Sequence, residues 1–206
     1  FVVAGGRFIE YYYWDSYWIL QGLLVSNMTT TARHVVENML YVVDKYGFMP
    51  NGGRIYYLNR SQPPVLGLMV KMFVEHTGDT AFLRRALPTL ELEQDFWNSQ
   101  RSYIATGNNQ VAYKIQRYSA NTLEPRPESY REDVHTAVHM TTPTEKSTCY
   151  RNLASGAETG WDFSSRWLRD FSTLSTIRTT SILPVDLNAI LYAVEDGLAW
   201  MYDQIG

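Results

Sequence analysis

The sequence predicts an all-α protein, a solenoid or toroid of paired helices joined by long, irregular loops, with one short β-hairpin. Three observations lead to this prediction. Apolar residues recur at helical spacing over most of the chain. Only one short stretch alternates in the manner of a strand. The loops are longer than the turns of a compact helix bundle, and long loops in a helical domain usually carry function.

The helical period is strongest in five segments. They cover residues 16–26, 30–46, 63–78, 79–101 and 186–203. Gly47 and Gly78 are natural C-terminal stops, because glycine readily adopts the left-handed conformation that ends many helices. Asp79 is a natural N-cap for the fourth segment. Pro63-Pro64 is expected to open the third segment, since proline is favoured in the first turn of a helix.

The second half of the chain is less regular. Residues 130–140 and 145–153 predict two weaker helices. Residues 110–118 alternate well enough to predict a short strand or a hairpin. Prolines interrupt residues 124–128, which we expect to form a loop.

Composition narrows the functional classes. The chain has 206 residues, of which 45% are hydrophobic, and its net charge of −3 favours neither nucleic acid nor an anionic membrane as a partner. No apolar run approaches the length that crosses a bilayer. The single cysteine, Cys149, cannot form an internal disulfide and is expected to be a small buried hydrophobe. His135 and His139 have a spacing that suits two metal ligands, but no third ligand is suggested, so no metal is predicted.

Aromatic residues make up 14% of the chain, with 15 Tyr and 6 Trp. An aromatic-rich core is the ordinary explanation and is preferred for any single ring. A sugar-binding site is the sharper explanation, because flat apolar rings match the C–H faces of pyranoses. The excess alone favours the sugar site only modestly.

Four loops concentrate the unusual residues. They cover residues 5–15, 50–64, 124–129 and 155–167, and each combines glycine or proline with arginine or a carboxylate, usually beside an aromatic ring. A glycosidase needs these parts, because one carboxylic acid protonates the leaving oxygen while a second carboxylate acts at the anomeric carbon. Arginine and asparagine side chains orient sugar hydroxyls, and aromatic rings form the walls of the pocket.

Each of these residues also has an ordinary structural explanation. Arg7, Arg60 and Arg126 are the kind of loop arginine that usually lies at the surface and pairs with a nearby carboxylate. Asp15 and Asp162 are possible helix N-caps. For single residues we favour these explanations. Four such loops together favour a carbohydrate enzyme without naming its substrate.

The first loop closely resembles the signature of the trehalase family. The matching residues are Gly5, Gly6, Arg7, Phe8, Glu10, Tyr12, Trp14, Asp15 and Tyr17, while Ala4 replaces the leading proline. The other three loops also resemble trehalase segments in the family's order, so the resemblance covers essentially the whole chain. It implies that residues 1–206 are part of a single (α/α)6 toroid catalytic domain. Both ends look cut, so we expect the chain to be a fragment and the toroid to be incomplete.

The resemblance also implies an activity and its residues. It implies hydrolysis of α,α-trehalose to two glucose molecules with inversion and without a cofactor or metal. By position, Asp162 is implied to be the general acid. The implied sugar-contacting residues are Arg7, Trp14, Asp15, Asn51, Arg60, Ser61, Gln62, Arg126, Pro127, Glu128 and Gly160. The base of an inverting enzyme lies about 6.5–9.5 Å from the acid. In trehalases it is a Glu well beyond Asp162, so we expect it to lie outside this chain and the isolated fragment to be inactive.

Three alternatives remain at this point. One is another inverting toroid glycosidase that resembles glucoamylase, which the register of the first loop disfavours. The second is a non-catalytic sugar-binding homologue, and the third is a helical-repeat scaffold, which fits the long loops poorly. The compartment stays open. The acceptor pattern Asn27-Met28-Thr29 slightly favours a secreted or membrane-anchored extracellular protein over a cytoplasmic one.

Overall fold

A computed structural model describes residues 2–108 and 110–206, and this part of the chain forms seven α-helices and one two-stranded sheet. The helices are α1 (Asp15–Val25), α2 (Thr29–Tyr46), α3 (Leu66–Thr77), α4 (Thr80–Gln100), α5 (Tyr130–Thr136), α6 (Pro143–Glu158) and α7 (Val185–Asp203). The strands are β1 (Ser102–Thr106) and β2 (Ala112–Gln116). Short 3-10 helices occupy the loops at Ile55–Asn59, Pro127–Ser129, Ser165–Trp167, Leu174–Thr176 and Thr179–Ser181. The predicted all-α class is confirmed.

The predicted helix stops and the predicted cap of α4 are confirmed. Gly47 and Gly78 follow α2 and α3 in the left-handed conformation, with φ of 79° and 69°. The amide of each glycine donates to a carbonyl in the last turn of its helix. The Asp79 carboxylate accepts a hydrogen bond from the Phe82 amide at 2.8 Å, which gives the first turn of α4 a partner.

The predicted start of α3 is wrong by three residues. The helix begins at Leu66, and Pro63-Pro64 lies in the loop before it. The free amides at the helix start are bound by a side chain that is distant in sequence. The Tyr13 hydroxyl accepts from the amides of Val65 at 2.9 Å and Leu66 at 2.8 Å. No local sequence rule anticipates a cap of this kind.

The two weaker predicted helices also have different bounds. α5 ends at Thr136, four residues before the predicted end. α6 begins at Pro143 and runs to Glu158, so it is longer at both ends than the predicted helix. Its N-terminus has a capping box, in which the Thr142 hydroxyl accepts from the Glu145 amide while the Glu145 carboxylate accepts from the Thr142 amide.

The predicted hairpin is confirmed, with its first strand earlier than expected. β1 follows α4 after a single residue and pairs with β2 in antiparallel register, with Ser102 opposite Gln116 and Thr106 opposite Ala112. The hairpin returns the chain to the end of α4, where the Arg117 amide donates to the Arg101 carbonyl at 2.8 Å. The residues after β2 therefore run back toward the helices.

Buried side chains form two hydrophobic clusters. The first is built mainly by α1, α2, α3 and α4, and the second by the end of α4, α6, α7 and the loops after Tyr118 and Asp162. α4 contributes Leu83 to the first cluster and Trp97 to the second, and α7 contributes Met201 and Leu187 in the same way. Among the described residues, the structure contains no helix with both the length and the apolarity to cross a membrane.

Candidate active site

Four chain segments lie side by side and form the base of the candidate site. The Tyr13 amide donates to the Asn51 carbonyl at 3.1 Å, and the Asn51 amide donates to the Arg60 carbonyl at 3.1 Å. The Asn121 amide then donates to the Asn59 carbonyl at 2.8 Å. The first and third of these bonds join segments 38 and 62 residues apart in the chain, and the second lies within one loop. The first and second predicted site loops thereby become neighbours, together with Asn121, which precedes the third predicted loop by three residues.

A cavity of about 600 Å³ lies against these loops. Its volume is in the range of small-molecule sites. Its lining residues are Arg7, Phe8, Tyr12, Trp14, Asp15, Asn51, Tyr57, Arg60, Gln62, Arg126, Glu128, Ser129, Ala157, Gly160 and Asp162. Ten of these fifteen are among the twelve residues that the sequence proposed for the site, and the set draws on all four predicted loops.

Two of the proposed residues do not line the cavity. Ser61 is fully buried, and its hydroxyl donates to the Met49 carbonyl at 2.6 Å. Pro127 is exposed and opens the 3-10 helix Pro127–Ser129. Both residues therefore contact the site only through their chain neighbours, and their sugar-contacting roles stay predictions.

Arg60 is a buried arginine whose guanidinium is held by polar side chains at the cavity. Its Nε donates to Asn51 Oδ1 at 3.2 Å, and Nη2 forms an ion pair with Glu128. The guanidinium carbon also lies 4.9 Å from the centre of the Tyr57 ring, a cation–π arrangement. The interpretation of Arg60 as a surface arginine is wrong, because only 2% of the residue is exposed.

Arg126 is also buried and makes a two-pronged ion pair. Its Nε and Nη2 donate to the Asp133 carboxylate at 2.9 and 2.7 Å, and its backbone amide donates to the same carboxylate at 2.9 Å. Burial acts to lower the pKa of Arg126. The hydrogen bonds that Arg126 donates to the Asp133 carboxylate, together with the negative charge of Asp133, outweigh this effect and raise the pKa. The guanidinium is therefore charged and fixed in direction.

Asp162 lies on the loop that follows α6 and faces the cavity. It does not cap a helix, since the Ser164 hydroxyl caps the next 3-10 helix. The side chain is open to solvent through the cavity, yet the protein around it desolvates it enough to raise its pKa above the usual range. The charges of Arg126 and Arg60 oppose this rise, and Glu128 adds to it. The pKa of Asp162 therefore lies above that of a free aspartate, even though two arginines act to lower it.

Trp14 forms a wall of the cavity next to the Asp162 loop. Its ring lies 5.8 Å from the Trp161 ring, edge to face, and its amide donates to Gln62 Oε1 at 3.1 Å. Gly160 has a φ of 69°, and a Cβ there would lie 2.5 Å from the Trp14 ring. The close approach of loop and ring therefore requires glycine.

The remaining proposed residues lie at the same cavity. Arg7 is exposed, with its guanidinium 4.9 Å from the Phe8 ring centre. Asp15 is the first residue of α1, and Trp14 holds the N-cap position without a side-chain cap bond. Partial burial raises the pKa of Asp15. Glu10 pairs with Arg54 at 2.9 Å and not with Arg7, Arg60 or Arg126.

Five cavity residues were not among the proposed ones. They are Phe8, Tyr12, Tyr57, Ser129 and Ala157. Phe8 and Tyr12 belong to the first loop's signature, so that pattern could have identified them. Tyr57 and Ala157 belong to no such pattern. Tyr57 lies on a 3-10 helix and Ala157 on α6, and only the folded chain places them at the cavity. Among residues 2–108 and 110–206, no group of three His, Cys, Asp or Glu side chains could hold a metal ion.

The fold and the site together define the class. Paired helices carry long loops, and these loops line a polar cavity with arginines, carboxylates and tryptophan. This arrangement is typical of a helical toroid that binds a carbohydrate. Within this class the chain belongs to the trehalase family, whose model matches residues 1–206.

The relatives support the family assignment over the full chain. The chain is 46% identical to a trehalase from Tenebrio molitor, 48% identical to one from Oryctolagus cuniculus and 47% identical to one from Homo sapiens, in each case over 100% of its length. It spans 36–38% of the length of these relatives. It is also similar in structure to the neutral trehalase Nth1 from Saccharomyces cerevisiae, with a TM-score of 0.74 and 29% identity over 96% of this chain and 38% of that one. The predicted toroid fold is therefore confirmed for the part that this chain represents.

Proposed function

We propose that the protein hydrolyses α,α-trehalose to two glucose molecules by an inverting mechanism with Asp162 as general acid. The observation that carries the proposal is the position of Asp162 in one cavity with Arg60, Arg126 and Glu128, together with the raised pKa of its carboxyl. Membership of the trehalase family supports the choice of substrate. We also propose that residues 1–206 belong to a single catalytic domain, since α4 and α7 contribute to both hydrophobic clusters.

The chemical step needs a proton donor for the glycosidic oxygen. In our proposal Asp162 gives its proton to that oxygen as the bond from the oxygen to the anomeric carbon breaks. A second carboxylate takes a proton from water, and the water oxygen bonds to the anomeric carbon from the opposite face. The family resemblance implies that this base is a Glu. One glucose leaves with its configuration unchanged and the other is inverted.

The other cavity residues are proposed to bind the sugar. Arg60 and Arg126 are held by Glu128 and Asp133, so their free donor positions have a fixed direction toward sugar hydroxyls. Asn51, Gln62 and Asp15 add amide and carboxylate groups at the same cavity. Trp14 offers an apolar face for the C–H side of a pyranose ring. Arg7 is exposed and is proposed to contact the sugar at the mouth of the cavity.

The stereochemistry of the products tests the mechanism. Full-length protein is mixed with α,α-trehalose, and proton NMR follows the anomers before they equilibrate. Inversion at one of the two anomeric carbons gives α-glucose and β-glucose in equal amounts. A product that begins as α-glucose alone would contradict inversion. Maltose is the control substrate, because rapid hydrolysis of maltose without hydrolysis of trehalose would instead favour a glucoamylase-like enzyme. A protein that binds trehalose without cleaving it would be a sugar-binding homologue.

A further inference from the structure

Glu158 is a fully buried carboxylate at the end of α6, and it faces the chain segments that line the cavity rather than the cavity itself. Its Oε1 accepts from the Ser61 amide at 2.9 Å, and its Oε2 accepts from the Ser119 amide at 2.9 Å. Arg101, which is also buried, donates to both oxygens from Nε and to Oε1 from Nη2 at 2.8 Å. One carboxylate therefore holds three segments that are distant in sequence.

Two of the joined parts carry cavity residues, and the Ser119 segment is bonded to one of them. Ser61 lies between Arg60 and Gln62, which both line the cavity. Ser119 begins the segment whose Asn121 amide binds the Asn59 carbonyl, one residue before Arg60. Glu158 itself precedes Gly160 and Asp162 in the chain by two and four residues. A shift of this carboxylate would therefore move the proposed acid Asp162 relative to Arg60 and Gln62, which are proposed to bind the sugar.

We propose that Glu158, held in place by Arg101, is a positioning residue that fixes the Asp162 loop relative to the Arg60–Gln62 segment. This inference rests on the proposed function. Glu158 does not line the cavity, and it acts through the backbone of Ser61 and through the loop that it begins.

The chemistry of the contact requires an ionised carboxylate. Two carboxylate oxygens can accept all the donors that Ser61, Ser119 and Arg101 direct at this point, and an acid anion offers no competing donor. A glutamine would present one NH2 group to these donors and would leave the buried Arg101 charge without its partner. Buried ion pairs add little net stability on average. We therefore infer that the pair of Glu158 and Arg101 serves to hold the geometry of the site.

The test compares three variants of the full-length protein with the wild type on trehalose. Glu158→Gln is expected to lower kcat/KM by about 100-fold, with a lower kcat and a higher KM, because misplacement of reacting groups by about 1 Å has an effect of this size. Arg101→Lys keeps the charge but loses the two-pronged contact, and we expect a smaller loss in the same direction. Leu83→Ala is the matched control. It opens a cavity in the other hydrophobic cluster and should lower the Tm without changing kcat or KM well below that Tm.

The outcomes separate the inference from the proposed function. A loss of kcat in Glu158→Gln with native circular dichroism, absent from Leu83→Ala at a similar Tm, supports the inference. If Glu158→Gln does not fold, Arg101→Lys becomes the deciding variant. Wild-type kcat and KM in Arg101→Lys would overturn this inference but not the proposed function. Wild-type constants in Glu158→Gln would do the same. A wild-type protein that does not hydrolyse trehalose would overturn the proposed function and this inference with it.

Discussion

At the scale of single residues, the proposed acid depends on a balance of opposing effects. Partial desolvation raises the pKa of Asp162, while Arg126 and Arg60 act to lower it. The net shift is upward, so the carboxyl keeps its proton to a higher pH than a free aspartate does. Activity that needs protonated Asp162 should therefore be lost as pH rises through this raised pKa. This loss gives the alkaline limb of the rate profile.

Replacing Asp162 by asparagine is the most direct test of its role. The amide has the same shape and no acidic proton, so we expect kcat on trehalose to fall by about 1,000-fold with little change in KM. The loss should be much smaller on α-glucosyl fluoride, because fluoride leaves without protonation. Steady-state kinetics on both substrates provide the measurement.

The control for this substitution is Glu132→Gln, which changes an exposed carboxylate on α5 outside the cavity. It should leave both substrates and the alkaline limb unchanged. Equal losses on trehalose and on the fluoride in Asp162→Asn would argue against an acid and for a binding or structural role.

The residues that sequence could and could not identify differ in how their environment is built. Trp14 and Asp162 are recognisable because their neighbours in the chain form a specific pattern. The pair of Glu158 and Arg101 is formed by residues 57 positions apart, and the Tyr13 cap on α3 by residues 52 and 53 positions apart. Local patterns contain no information about such partners, so these positioning contacts became visible only in the folded chain.

At the scale of secondary-structure elements, α6 begins at a capping signal that is visible in the sequence and ends beside the candidate site. Its capping box at Thr142 and Glu145 and its Pro143 lie in one short stretch of sequence, and they explain a start earlier than periodicity alone predicted. The late end has a different cause. Ser155 and Glu158 bind the amides of Ala120, Ser61 and Ser119, so tertiary contacts keep the last turn helical. Periodicity could not predict that end, because the partners lie in other segments.

The cap of α6 can be tested separately from the site. Thr142→Ala removes the hydroxyl that accepts from the Glu145 amide, and we expect the free energy of unfolding to fall by about 1 kcal/mol. The kinetic constants on trehalose should not change, since the cap lies at the opposite end of the helix from Glu158. Thr142→Ser keeps the hydroxyl and is the matched control. A lower kcat in Thr142→Ala would mean that fraying at the start of α6 reaches the Asp162 loop.

At the scale of the whole molecule, one buried carboxyl is expected to make the free energy of unfolding depend on pH. Glu93 lies on α4 inside the protein, and the Tyr13 hydroxyl donates to it at 2.7 Å. Burial raises the pKa of Glu93 to about 7. The same Tyr13 hydroxyl caps α3, and Tyr13 directly precedes Trp14 of the cavity wall. Glu93 is therefore joined through Tyr13 to the start of α3 and to the cavity wall.

The effect of Glu93 on stability has a definite sign. Below about pH 4.5 the carboxyl is protonated in the folded and in the unfolded chain, so it makes no difference to their balance. Between about pH 4.5 and the folded value of about 7, only the folded chain keeps the proton. The free energy of unfolding should therefore fall as pH rises through this window, by about 1.4 kcal/mol per pH unit from this group and on the order of 3 kcal/mol in total.

Glu93→Gln should remove this dependence, because the amide is neutral at every pH and still accepts from Tyr13. Urea denaturation at several pH values between 4.5 and 8 measures it, and the variant should gain stability relative to the wild type as pH rises. Asp95→Asn, an exposed change on the same helix, is the control and should run parallel to the wild type. Parallel curves for Glu93→Gln and the wild type would mean that Glu93 ionises in the folded protein as easily as in the unfolded chain. The buried Tyr13–Glu93 contact would then hold a charged carboxylate at neutral pH.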